Sequence, residues 1–138
     1  MKYLGLDLGE RRIGVALSQG SLAFPQGVLE GKGEGWEVKA IVELVRAEGV
    51  ERVIVGLPLS LNGTLGPQAQ RVLALVDALR QASPVPVETW DERFSTTEAE
   101  RLLTEAGHRW PSRKAHRDAL AAALVLQAYL DHQRASSG

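Results

Sequence analysis

Apolar and polar positions change period along this chain, and the change divides it in two. From Tyr3 to Leu8 they alternate, with Leu4, Leu6 and Leu8 on one side and Tyr3, Gly5 and Asp7 on the other. That two-residue period predicts a strand over 2–8. Gly9-Glu10 turns the chain, and a second strand is predicted over 12–18. A third is predicted over about 22–30, where Pro25 points to a sheet edge or a bulge. Three strands so close in sequence make an antiparallel meander.

The period then lengthens. Trp36, Ala40, Ile41, Leu44 and Val45 recur at helical spacing and predict a helix from Trp36 to Glu48. Residues 52–58, "RVIVGLP", form a short β-branched run between helices, the pattern of a buried parallel strand. Pro67 suits the first position of a second helix, whose core face is predicted as Ala69, Val72, Leu73, Val76 and Leu79. "VPVETW" (85–90) is a further strand. Ser95 and Glu98 form a capping box for a third helix, which Gly107 ends. A last helix is predicted from about Arg113 to Gln133. The order β-β-β-α-β-α-β-α-α predicts an α/β domain. Its mixed five-stranded sheet joins a three-strand antiparallel meander to two parallel strands, with helices on both faces. Functional groups in such a sheet gather beyond the carboxyl ends of the parallel strands. One domain is expected over 1–134, with a disordered tail at 135–138.

Composition narrows the chemistry. A length of 138 residues with 44% hydrophobic positions can fill one core. There is no apolar run of membrane-spanning length and no basic-then-apolar leader pattern, so a cytoplasmic protein is expected. The chain has no cysteine, which excludes disulfides, thiolate metal sites and a cysteine nucleophile. A net charge of −1 rules out a polycation. Yet "GHRWPSRKAHR" (107–117) carries Arg109, Arg113, Lys114 and Arg117 with no acid. Such a local basic stretch reads either as a solvated helix start or as a footprint for phosphates.

Three acidic positions resist a solvent-face explanation. Asp7 lies among leucines near the end of the first strand; read alone, it is an ordinary turn residue. Asp91 and Glu92 follow directly on the strand 85–90. Asp118 shares a helical stripe with Ala122, Val125 and Tyr129, at the edge of an almost wholly apolar helix. The predicted topology brings these three ends together. Carboxylates crowded at one edge repel unless a cation neutralises them, and oxygen ligands of this kind suit Mg²⁺. Paired divalent ions on such ligands cleave phosphodiesters, which points to a metal-dependent nuclease.

"GLDLGERRIGVALS", "VIVGLPLSLNGTLG", "DERFSTTEAE" and "KAHRDALAAALVLQAYL" occur in that order over nearly the whole chain. They closely resemble the four blocks of the bacterial YqgF family, also called RuvX. The resemblance implies a ribonuclease H-like fold related to the RuvC Holliday junction resolvases. It implies a nuclease that processes the 5′ end of pre-16S rRNA, with Holliday junction resolution on branched DNA as the older alternative. A divalent metal, Mg²⁺ or Mn²⁺, is implied, held by an acidic triad of Asp7, Glu92 and Asp118 that is also the catalytic set. Arg11, Arg12, Arg113, Lys114 and Arg117 then position the nucleic acid backbone. Gly56, Pro58, Asn62 and Gly63 shape a loop beside the site, where Asn62 and Thr64 can bond phosphate. Structured RNA, within ribosomal precursor particles, is the implied partner of a monomer or homodimer. Two features set this chain apart. Gln19 stands where relatives often have Asp. The second acid follows the outer parallel strand, about 4.8 Å further from Asp7 than the inner one, and that distance favours Glu92 over the shorter Asp91. Two other classes share part of this pattern. An actin-like ATPase needs a second domain and a second Asp-x-Gly hairpin, and Asp7-Leu8-Gly9 is the only such triplet here. A non-catalytic RNA-binding assembly factor keeps the same fold without turnover.

Overall fold

The structure, a computed structural model, describes residues 2–9, 11–33, 35–58, 65–92 and 113–137. The helix predicted between Ser95 and Gly107, and the positions Arg109, Asn62, Gly63 and Thr64, lie outside the described residues.

Strands β1 (Tyr3–Leu8), β2 (Ile13–Gln19) and β3 (Leu22–Leu29) form the antiparallel meander. Helix α1 (Trp36–Glu48) leads to β4 (Arg52–Leu57), and α2 (Pro67–Ala82) leads to β5 (Val87–Asp91). Helix α3 (Arg113–Ser137) closes the chain. The sheet order is β3-β2-β1-β4-β5, with β4 parallel to both β1 and β5. This is the mixed five-stranded sheet predicted from the pattern. Pro25 lies on the edge strand, beside a bulge at Val15/Ala16 where Val15 pairs with Gly27 and Ala16 with Pro25. The missing proline N–H therefore costs no ladder bond. Two details differ. Leu75, rather than Leu73, completes the buried face of α2, because the helix is turned slightly about its axis. Helix α3 also runs on through Ala135–Ser137, beyond its predicted end near Gln133. Arg and Ala are good helix formers, and helix ends are the least legible boundaries.

Strand alternation gives each face its own core. Leu4, Leu6 and Leu8 pack with Val53, Val55, Ile41, Val45, Val72, Val76 and Leu79 beneath α1 and α2. On the other face Tyr3, Ala16 and Ile54 meet Ala122, Ala123, Val125, Leu126 and Tyr129 of α3. The second face is a closer contact. A Cβ on Gly14 would overlap the backbone carbonyl of Asp118, and one on Gly5 would stand 2.7 Å from the Leu126 Cβ. Backbone therefore meets backbone where α3 crosses β2, and only glycine permits that distance.

Polar bonds set the rotation of α3 at its other end. Arg52 Nη1 donates to the Tyr129 hydroxyl at 2.6 Å, and that hydroxyl donates to Glu88 Oε2 at 2.7 Å. Gln127 accepts from the Ala23 N–H at 2.9 Å and donates to the Ser21 carbonyl at 3.0 Å. The helix is thus tied to β3, β4 and β5, and cannot roll to relieve a clash at Gly14. Gly14→Ala should therefore cost at least about 3 kcal/mol, the upper end of overpacking penalties. Urea unfolding measures it; a loss below about 1 kcal/mol would show that the helix can lift off the strand at little cost.

Candidate active site

Asp7 is half-buried near the carboxyl end of β1, on the face covered by α3. Its strand partner is Gly14, so the residue beside it carries no side chain and the Asp118 backbone lies against that gap. Both the packing of α3 and the position of Asp118 next to Asp7 follow from that one glycine.

The turn after β1 is held from two sides. The Gly9 N–H donates to the Arg12 carbonyl at 2.9 Å. From α2, Gln68 Nε2 donates to the Leu8 carbonyl at 2.8 Å and Arg71 donates to the Gly9 carbonyl at 2.7 Å. The end of β1 is fixed in place, and Asp7 with it. Neither Gln68 nor Arg71 stood out in the sequence, since both look like ordinary polar positions on the first turns of a helix.

Glu92 follows directly on Asp91, the last residue of β5, and β4 stands between β5 and β1. Its side chain spans that intervening strand. Leu6 pairs with Val55, so Gly56 is the next residue along β4 as Asp7 is along β1. A Cβ on Gly56 would come within 2.7 Å of Glu92 Oε1 and 2.9 Å of Val125 Cγ2. The Glu92 carboxyl therefore lies over Gly56 and reaches Asp7, with which it shares a hydrogen bond. The extra strand spacing is bridged by the longer acid crossing a strand that has no side chain at that point. Gly56 thus makes way for a side chain of this protein, whereas the sequence had suggested a loop shaped for a ligand.

Two carboxylates in hydrogen-bond contact cannot both be charged without a counter-ion, so one retains a proton. Burial, the hydrogen bond to Asp7 and the charges of Asp7 and Asp91 together push Glu92 up to about 8, from an ordinary 4.5. Asp118 points its carboxylate to Arg12 instead, with Nε to Oδ2 at 3.5 Å. Arg12 Nε also lies 3.7 Å from Glu30 Oε1. Among the described residues no three acidic or histidine side chains are grouped closely enough to hold a metal ion. The structure thus joins Asp7 to Glu92 and sets Asp118 beside them on an arginine. Arg11 is exposed on the turn. Arg113, Lys114 and Arg117 belong to the first turns of α3, and their side chains lie outside the described residues.

The family model for RuvX, described as Holliday junction resolvase, matches residues 1–132. A relative from Desulforudis audaxviator is 46% identical over 97% of this chain and 96% of its own length, and bears the name "Putative pre-16S rRNA nuclease". One of the same name from Caldanaerobacter subterraneus is 43% identical over 99% of this chain and 100% of its own. Among solved structures, the fold is similar to T. thermophilus RuvC in complex with a Holliday junction substrate. The TM-score is 0.65 at 19% identity, covering 96% of each chain. The Fowlpox virus resolvase bound to junction DNA gives a TM-score of 0.62 at 8% identity, over 96% of this chain and 99% of its own.

A raised carboxyl pKa has a definite consequence for stability. Below about pH 4.5 Glu92 is protonated whether the chain is folded or not; up to about pH 8 only the folded chain keeps the proton. Rising pH across that window therefore favours the unfolded chain. In metal-free protein, Glu92→Gln should gain thermal stability relative to the parent from pH 4.5 to pH 8. A difference in Tm that stays constant with pH would mean that Glu92 ionises freely in the fold.

Proposed function

The chain belongs to the RuvX family, and from that membership we propose that it is a nuclease which trims the 5′ end of pre-16S rRNA by metal-dependent phosphodiester hydrolysis. The observation that carries this reading is the Asp7–Glu92 contact across Gly56. The proton that Glu92 retains beside Asp7 is what a hard divalent cation would displace, and carboxylate oxygens are the donors it prefers. The residues present therefore fit Mg²⁺ or Mn²⁺. Asp7 and Glu92 would hold it, with Asp118, on α3 over Gly14, as the further acid that a second ion would need. The metal would supply charge neutralisation at the scissile phosphate and a water acidic enough to act as nucleophile at neutral pH.

The chain's own residues do the rest. Asp7, set between Gly14 and Gly56, would be the central carboxylate of such a ligand set. Gln68 and Arg71 keep its strand end from shifting. Misplacement of catalytic groups by about 1 Å can cost a hundredfold. Arg11 extends from the same turn toward solvent, where it meets backbone phosphates. Arg113, Lys114 and Arg117 supply further positive charge from the start of α3. Phosphate contacts of this kind set position and leave sequence unread, so the substrate is recognised by its shape and its single-stranded ends.

Cleavage of a pre-16S 5′ leader in Mg²⁺ tests this reading. Asp7→Asn and Glu92→Gln should each lose at least about 100-fold in rate, beyond what loss of an outer-shell partner costs. Undiminished cleavage by either variant would contradict it. The family model's own description keeps junction resolution as a second reading. Faster cutting of four-way DNA junctions than of the RNA leader would establish it in place of the first.

A further inference from the structure

Arg12 sits on the α3 side of β2, two residues before Gly14, where Asp118 lies against the strand. Its Nε stands 3.5 Å from Asp118 Oδ2 and 3.7 Å from Glu30 Oε1. Both separations exceed those of a good N–H···O bond, so the contact is a shared charge rather than a locked pair. Its exposure is graded: the Arg12 side chain is 23% accessible, Asp118 33% and Glu30 64%. Arg12 is thus the least exposed of the three, within reach of a partly buried acid, Asp118, and of a more exposed one, Glu30. The backbone carbonyl of Arg12 is held separately, by the Gly9 N–H. Its side chain can therefore move without disturbing the turn that fixes Asp7.

We propose that Arg12 is a positioning residue that serves as an internal counter-ion for Asp118. It neutralises that carboxylate while the site is without metal, and yields it to the divalent cation by moving over to Glu30. The inference rests on the metal-dependent reading of the site. Glu30 gives Arg12 somewhere to go, because an arginine leaving Asp118 with no second acid at hand would give up its fixed anion. Neither contact is a short, bidentate bond of the kind that holds an arginine most firmly. The cost of the arrangement is competition: the guanidinium must be displaced from a ligand before that ligand can bind metal.

Two measurements on the full chain test this. Calorimetric titration with Mn²⁺ should show Arg12→Gln binding roughly three- to ten-fold tighter than the parent, the scale of a partly exposed ion pair. Arg12→Lys should stay near the parent. In a Mg²⁺ titration followed by ¹⁵N NMR, the Arg12 Nε signal should move toward its position in metal-free Asp118→Asn, where the pair is already broken. Weaker or equal Mn²⁺ binding by Arg12→Gln would overturn the proposal. So would a stationary Nε signal while Mg²⁺ binds, which uses unaltered protein and does not depend on any variant folding. If the parent chain binds neither ion, the metal-dependent reading fails and this inference fails with it. If the parent binds metal and only the Arg12 results disagree, that reading stands.

Discussion

Helix α3 crosses the sheet at backbone distance, over Gly14 and Gly5, and a Cβ at either position would strike it. The site is built on that approach. Were α3 held off by even one methyl group, Asp118 would rise away from Asp7 and Val125 would leave Gly56. The small residues on the helix, Ala119, Ala122 and Ala123, are all fully buried and serve the same end. Much of this face of the core is thus made of alanine and glycine. It gives up apolar area, which is the usual source of stability, in exchange for proximity. The opposite face, filled with Leu, Ile and Val beneath α1 and α2, supplies the conventional packing.

Gly56 extends the same logic to the sheet itself. An acid on β5 can meet an acid on β1 only by crossing β4, and the crossing is open because β4 presents no side chain there. The resulting contact is unfavourable in isolation, since burial and like charge both oppose ionisation of Glu92. Unfavourable local electrostatics held in place by a rigid frame are common at sites built for a charged ligand. Here the frame is the hydrogen-bonded strand end, clamped by Gln68 and Arg71.

The sequence made most of the elements legible, for identifiable reasons. Period-two alternation from Tyr3 to Leu8 placed Asp7 opposite the leucine face. Helical spacing marked Trp36–Glu48, and Pro67 marked the start of α2. Pro25 correctly signalled an edge with a bulge. Asp7, Glu92 and Asp118 have ordinary readings taken singly and stand out only together, as acids at the ends of three elements that the fold brings to one edge. What escaped was everything that depends on which backbones touch. Gly14 and Gly5 look like interruptions of strands until a helix is laid across them. Gly56 suggested a ligand-facing loop, yet it accommodates Glu92. From its place in the chain Arg12 reads, like Arg11, as a phosphate contact. Only the approach of α3 shows its partner to be Asp118, with Glu30 alongside from the neighbouring strand. Asn62, Thr64 and the capping box at Ser95 lie outside the described residues.

On the proposed reading, Asp7 and Glu92 act as one ligand set because Gly56 lets them meet. A crystal structure of the protein grown with Mn²⁺, with the metal located by its anomalous scattering, tests this directly. The expected result is a manganese peak bonded to carboxylate oxygens of both Asp7 and Glu92, above Gly56. A peak held by Asp7 alone with Glu92 turned to solvent, or manganese bound only elsewhere, would contradict it.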